Sequence, residues 1–94
     1  MSNYTATGWS NKQTWNINLS YDVLFQNMVE EQTFDDVEHL ANAFESIVFE
    51  LEFDGLKEGT LAHYAVGEYL NKVNWNELAE LYASDARLFE EANN

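Results

Sequence analysis

The sequence predicts an all-α fold, a small bundle of about four helices in a single domain spanning 1–94. Three observations predict it. Between Thr33 and Gly55, apolar residues return at alternating spacings of three and four, the period of one helical face. Residues suited to helix capping stand ahead of three apolar-periodic segments, as Ser10 or Asn11, Thr33 and Asn74. There is no proline anywhere in the chain to interrupt those segments. The alternative is an α fold carrying a short N-terminal β-hairpin.

Residues 1–9 are mostly small and polar and read as an extended lead-in. Ser10 with Gln13 has capping-box spacing, and Asn11 is an equally good cap one residue later, so a first helix is expected here. A conflict follows. Trp15, Ile17, Leu19, Tyr21 and Val23 alternate with Asn16, Asn18, Ser20 and Asp22, which is the period of a half-buried strand. A strand there has only Tyr4–Thr7 as a partner, and an isolated two-stranded hairpin is marginal in water, so helix is preferred. Its face would be Trp15, Leu19, Val23, Leu24 and Met28, with Trp9 and Trp15 pinning it to the bundle.

Glu30, Glu31 and Gln32 form a polar break before the central helix. There Phe34, Val37, Ala41, Phe44, Val48 and Leu51 make the stripe, and Leu40 and Ile47 widen it. Thr33 is the expected cap, Asp35 and Asp36 suit the positive end of the helix dipole, and Gly55 is placed for a left-handed stop. Asp54–Thr60 reads as a turn, since its Asp54, Lys57, Glu58 order lacks the oxygen ligands of a calcium loop. Leu61, Tyr64 or Ala65, Tyr69 and Val73 outline a short third helix, with Gly67 as a weak spot or a point of close approach. Asn74 and Glu77 repeat the capping-box spacing ahead of a last helix through Leu78, Leu81 or Tyr82, Asp85 or Ala86, and Leu88 or Phe89.

Composition narrows the function. Seventeen acidic residues oppose four basic ones, Lys12, Lys57, Lys72 and Arg87, for a net charge of −13. Such a surface repels the phosphates of nucleic acid and of anionic membranes, and it suits a basic partner. Fourteen aromatic residues let a small core bury much apolar area, at about 25 cal/mol per Å². Cysteine is absent, so disulfides and thiolate metal sites are excluded. No basic, apolar leader and no run of about eighteen apolar residues is present. A cytoplasmic location is expected, in the host cytoplasm if the protein is encoded by a phage.

Catalytic constellations are weak. No serine sits in a glycine-rich elbow, no phosphate loop is present, and close carboxylate pairs arise by chance at this acidity. Asp36 and His39 have the i, i+3 spacing of a carboxylate and histidine in di-metal bundles, but His63 has no matching glutamate. No metal, no cofactor and no enzyme activity are therefore expected; a small metal-dependent enzyme using His39, Asp35 and Asp36 is the remote alternative. The sharper feature is Glu31, Glu38, Glu45 and Glu52, which recur every seven residues, about 10 Å apart on a helix. Acidic helix faces are ordinarily just solvated. Against that reading, a net charge of about 2 to 8 suffices to keep a small domain soluble. Seven carboxylates from Asp35 to Asp54 over about 30 Å approach the density of DNA, with one phosphate per roughly 3.4 Å of each strand. The expected partner-binding residues are Glu31, Asp35, Glu38, Glu45 and Glu52.

The string Gly8-Trp9-Ser10-Asn11-Lys12-Gln13-Thr14-Trp15-Asn16-Ile17-Asn18-Leu19 resembles the opening motif of a family of small phage, plasmid and cyanobacterial proteins. In that family it runs Asn-Gly-Trp/Tyr-x-Asn-x-Glu-Thr-Trp-Asn-Val-x-Leu-Trp. Gly8, Trp9, Asn11, Thr14, Trp15, Asn16 and Leu19 match, and Ile17 is a conservative replacement. Thr7, Gln13 and Ser20 depart from it, the last removing an aromatic. The resemblance implies a mobile-element origin and, with it, binding and blocking of host enzymes. The expectation is thus a non-enzymatic, phage-encoded DNA-mimic inhibitor of a host nucleic-acid-binding protein, with no direct nucleic-acid or membrane contact. The alternative is a structural or homo-oligomeric assembly protein of a phage or mobile element.

Overall fold

The computed structural model describes residues 8–88. It contains four helices, α1 (Lys12–Glu31), α2 (Val37–Phe53), α3 (Leu61–Asn71) and α4 (Trp75–Ala86), and no strand among the described residues. The hairpin alternative gives way to helix: Trp15–Val23 lies wholly within α1, and its proposed partner Tyr4–Thr7 lies outside the described residues, as does most of the 1–9 lead-in.

The alternation in Trp15–Val23 misleads because two of its apolar residues do not face the core. Thr14, Ile17, Phe25, Met28 and Val29 are buried at helical spacing, whereas Leu19 is 59% and Val23 69% exposed. Of the expected face, Met28 is buried and Leu24 packs against the core, whereas Leu19 and Val23 point away from it. At Tyr21 the backbone leaves helical values (φ −120°, ψ 17°) and α1 kinks, with neither proline nor glycine at the bend.

The cap of α2 is Asp36, not Thr33. Its carboxylate accepts the His39 N–H at 2.8 Å, and Thr33–Asp36 is spent on the turn from α1. Leu40, Ala41, Phe44 and Val48 are the buried face; Leu40, expected at the edge, is at its centre, while Leu51 is exposed and Phe34 is half-buried ahead of the helix. The stop occurs as expected, with Gly55 in the left-handed region at φ 82°. Helix α3 starts on a Thr60 cap and buries only Leu70, leaving Leu61 82% and Tyr64 65% exposed against expectation. Gly67 faces Phe53, where an added Cβ would sit 3.7 Å from the ring, an ordinary contact distance. Asn74 caps α4 by accepting the Glu77 N–H at 3.0 Å. Helix α4 ends at Ala86 rather than running to Phe89, because Arg87 turns left-handed (φ 57°) and the Leu88 N–H reaches back to Ala83 O at 2.9 Å. Phe89 is outside the described residues.

Helices α1, α2 and α4 share a core whose centre is three aromatic rings. Phe25 stacks on Phe44 with centroids 4.0 Å apart, and both meet Tyr82 edge-on at 5.5 and 5.7 Å. A second aromatic chain, Trp75 to Phe49 to Phe53 to His63, carries α3 onto the end of α2.

The N-terminal motif works as a clasp between the start of α1 and the α3–α4 turn. Asn11 accepts the Thr14 N–H at 2.8 Å as the α1 cap, while its Nδ2 donates to Lys72 O at 2.7 Å. The Thr14 hydroxyl donates to Asn11 Oδ1 at 2.7 Å and accepts the Asn74 N–H at 2.8 Å. One hydroxyl thus joins the caps of two helices. Ser10 donates its hydroxyl to Glu77 Oε1 at 2.6 Å, and Asn16 donates to the Tyr69 hydroxyl at 2.7 Å. Trp9 packs against the core beside this clasp.

Candidate functional site

The five expected partner-binding carboxylates fall on three elements. Glu31 ends α1, so the seven-residue repeat does not run unbroken along one helix; the turn separates it from Glu38, Glu45 and Glu52 on α2. Glu38 and Glu52 are exposed, and Glu45 is half-buried. Asp35 projects from the turn with its side chain 90% exposed, its Oδ2 3.7 Å from His39 Nδ1. The Asp35 N–H donates to that same Nδ1 at 3.0 Å, and Asp36 is occupied as the α2 cap. His39 therefore ties the turn together. Among the described residues no group of three or more His, Cys, Asp or Glu side chains is placed to hold a metal ion.

Charge is distributed unevenly. From Gln13 to Leu56 the chain has ten carboxylates and no lysine or arginine, and this stretch is nearly all of α1, the turn and all of α2. Lys12 and Lys72 share the opposite end of α1, where the Asn11 amide reaches Lys72 O. Among the described residues no lysine or arginine comes within 4.0 Å of a carboxylate. Self-repulsion is screened over about 8 Å at physiological ionic strength. Raising NaCl from 10 mM to 300 mM is accordingly expected to raise the Tm of the isolated protein. A flat response would show that the carboxylates lie too far apart in effect to strain the fold.

Several grooves flank the kinked first helix, and two of them hold polar clusters. The groove between α1 and α4, about 350 Å³, has Asp22, Glu30 and Asp85 on its rim and Tyr82 in its floor. The Tyr82 hydroxyl lies 2.6 Å from Asp22 Oδ1 and 2.5 Å from Asn18 Oδ1, so both compete for its one proton. Burial first, then the Asp22 carboxylate, pushes the Tyr82 phenol well up. In return the Tyr82 bond, followed by that from Gln26, holds Asp22 below the ordinary carboxylate value of 3.8. A depressed carboxylate stabilises the fold above its unfolded pKa, so this contribution is complete at neutral pH and fades as pH falls through the lowered value.

The second groove, about 340 Å³, lies among α1, α2 and α3. Ile17, Val66 and Leu70 supply its apolar wall, and Tyr21, Tyr69 and Glu52 its polar edge. The Tyr21 hydroxyl donates to Glu52 Oε2; burial first and that bond second raise the Tyr21 phenol far above its usual value, so it remains a donor. Of the expected residues, Glu52 lines this groove. Sequence reasoning missed its surroundings because Tyr21, Tyr69 and Glu52 come from three helices, with no local pattern linking them.

Compared with known proteins, the chain matches no family model, no curated protein and no solved structure. No helix among the described residues is long and apolar enough to cross a membrane.

Proposed function

We propose that this chain is a non-enzymatic acidic binding protein, of phage or mobile-element origin, that occupies the cationic nucleic-acid-binding surface of a host protein as a DNA mimic. The observation that carries this reading is the cation-free stretch from Gln13 to Leu56, whose ten carboxylates stand on α1, on α2 and on the turn and cap residues that flank α2. Helices fix charge positions in a way a flexible acidic tail does not. Glu38, Glu45 and Glu52 lie about 10 Å apart along α2 by the helical rise, and Asp35, Glu31 and Glu30 extend the field round the turn.

Binding through exposed charge is strongly salt-dependent. Capture of a host partner is expected at 50 mM salt with release by about 500 mM, and competition by duplex DNA for the same partner surface. The triple variant Glu38→Gln, Glu45→Gln, Glu52→Gln is expected to weaken that capture at least tenfold with the fold intact by circular dichroism. Unchanged capture by the triple variant would overturn the reading.

A second reading, a homo-oligomeric assembly protein, draws on the exposed Leu61 and Tyr64 one turn apart on α3. An association through apolar surface would strengthen rather than dissolve at high salt, which sedimentation across the same salt series distinguishes.

A further inference from the structure

We infer that the groove among α1, α2 and α3 is a receptor for an arginine side chain of a partner protein, held between Tyr21 and Tyr69 with its guanidinium on Glu52. The inference deepens the proposed function, since it rests on the partner being cationic, and it names one site where such a partner would lock in.

The argument is one of donors and acceptors. One of the two Asn16 amide N–H groups is spent on the Tyr69 oxygen at 2.7 Å, and the Tyr21 O–H is spent on Glu52 Oε2. These bonds leave Glu52 Oε1 and Asn16 Oδ1 on the rim as acceptors, beside the Tyr69 O–H and the second Asn16 N–H as donors, and the one formal charge among them is the negative charge of Glu52. A guanidinium is the complementary group, with five N–H donors in a planar fork and no acceptor. Below the rim, Ile17, Val66 and Leu70 form an apolar wall against which the three methylenes of an arginine stem can lie. Tyr21 and Tyr69 both line the groove, and a phenol ring is a surface on which a guanidinium stacks more favourably than a hydrated ammonium. The volume of about 340 Å³ exceeds one side chain, so the site is open enough to accept an arginine carried on a helix or loop. Charge complementarity selects this occupant over a second copy of the same chain, whose net charge of −13 would oppose close approach.

The Tyr21–Glu52 bond is the organising contact. It crosses from the kink of α1 to the last turn of α2, and the raised phenol keeps its proton throughout the working pH range. Glu52→Gln keeps an oxygen to accept that proton, so the groove retains its shape while losing its charge.

The test uses the isolated protein and a small probe. Nα-acetyl-arginine N-methylamide is titrated into the ¹⁵N-labelled chain, with the citrulline analogue as a neutral isostere. The arginine probe is expected to shift the amides of Ile17, Ser20, Tyr21, Val66 and Tyr69 saturably, in the millimolar range appropriate to a single side chain. The citrulline analogue is expected to bind at least tenfold more weakly. Glu52→Gln should weaken the arginine probe about tenfold, the usual worth of a charge-assisted bond, while Glu80→Gln, at an exposed position on α4, leaves it unchanged. Equal shifts with citrulline, or non-saturating shifts spread over all acidic residues, would overturn the inference. Because no partner enters this experiment, its failure leaves the salt-dependent capture standing, and failure of capture leaves a positive titration standing.

Discussion

Phe44→Ala is expected to destabilise the protein by about 3–5 kcal/mol. Phe44 is fully buried at the meeting point of the three long-contact helices, stacked on Phe25 at 4.0 Å and edge-on to Tyr82 at 5.7 Å. Truncation removes the ring's transfer free energy, opens a cavity that α1 and α4 cannot both collapse into, and deletes two aromatic pairings worth about 0.5–1.5 kcal/mol each. Domains of this kind are stable by about 5–15 kcal/mol in all, so the variant should be partly unfolded at 37 °C. Urea denaturation checks the magnitude. Phe44→Leu, which refills most of the volume, should recover more than half of the loss. A cost below about 1 kcal/mol for the alanine variant would mean that the three-ring cluster is not the centre of the core.

Thr14→Val is expected to cost about 1–3 kcal/mol despite preserving the shape of the side chain. Thr14 is the buried polar residue of the described core, fully shielded from solvent. Its hydroxyl both donates to Asn11 Oδ1 and accepts the Asn74 N–H. Valine leaves that N–H without its protein partner at the cap of α4 and deprives Asn11 Oδ1 of the hydroxyl proton. The midpoint should fall by about 4–8 °C per kcal/mol for a chain of this size, and Thr14→Ser, which keeps the hydroxyl, should fall by much less. Equal losses in the serine and valine variants would assign the effect to the methyl group and its packing instead.

How much of this was legible in the sequence depended on whether the deciding contacts were local. Caps at Asn11 and Asn74 and the stop at Gly55 follow from groups one turn apart, and each is where spacing predicts it. The cap at Thr33 failed because Asp36, three residues later, offers a stronger acceptor to the His39 N–H and frees the intervening residues for a turn. The face of α1 failed for a different reason. Leu19 and Val23 are as apolar as Ile17, and only the packing of α2 and α4 decides which of them the core receives. In α3 the same ambiguity left Leu61 and Tyr64 outside while Leu70 went in. The acidic residues were all visible as a list, but the break between Glu31 and Glu38 depended on where one helix ended. The groove beside Glu52 was invisible, since its walls come from residues as far apart as Asn16 and Leu70.

The clasp at the start of α1 has a consequence for how the chain is made. Its partners Lys72, Asn74 and Glu77 follow Ser10, Asn11 and Thr14 by 60 to 67 residues. During synthesis, from the amino end at about 5–20 residues per second, the first helix emerges several seconds before the segment that fastens it. Throughout that interval its apolar side is bare to water or to a chaperone, and a ribosome stalled before codon 74 would hold a chain that cannot yet close.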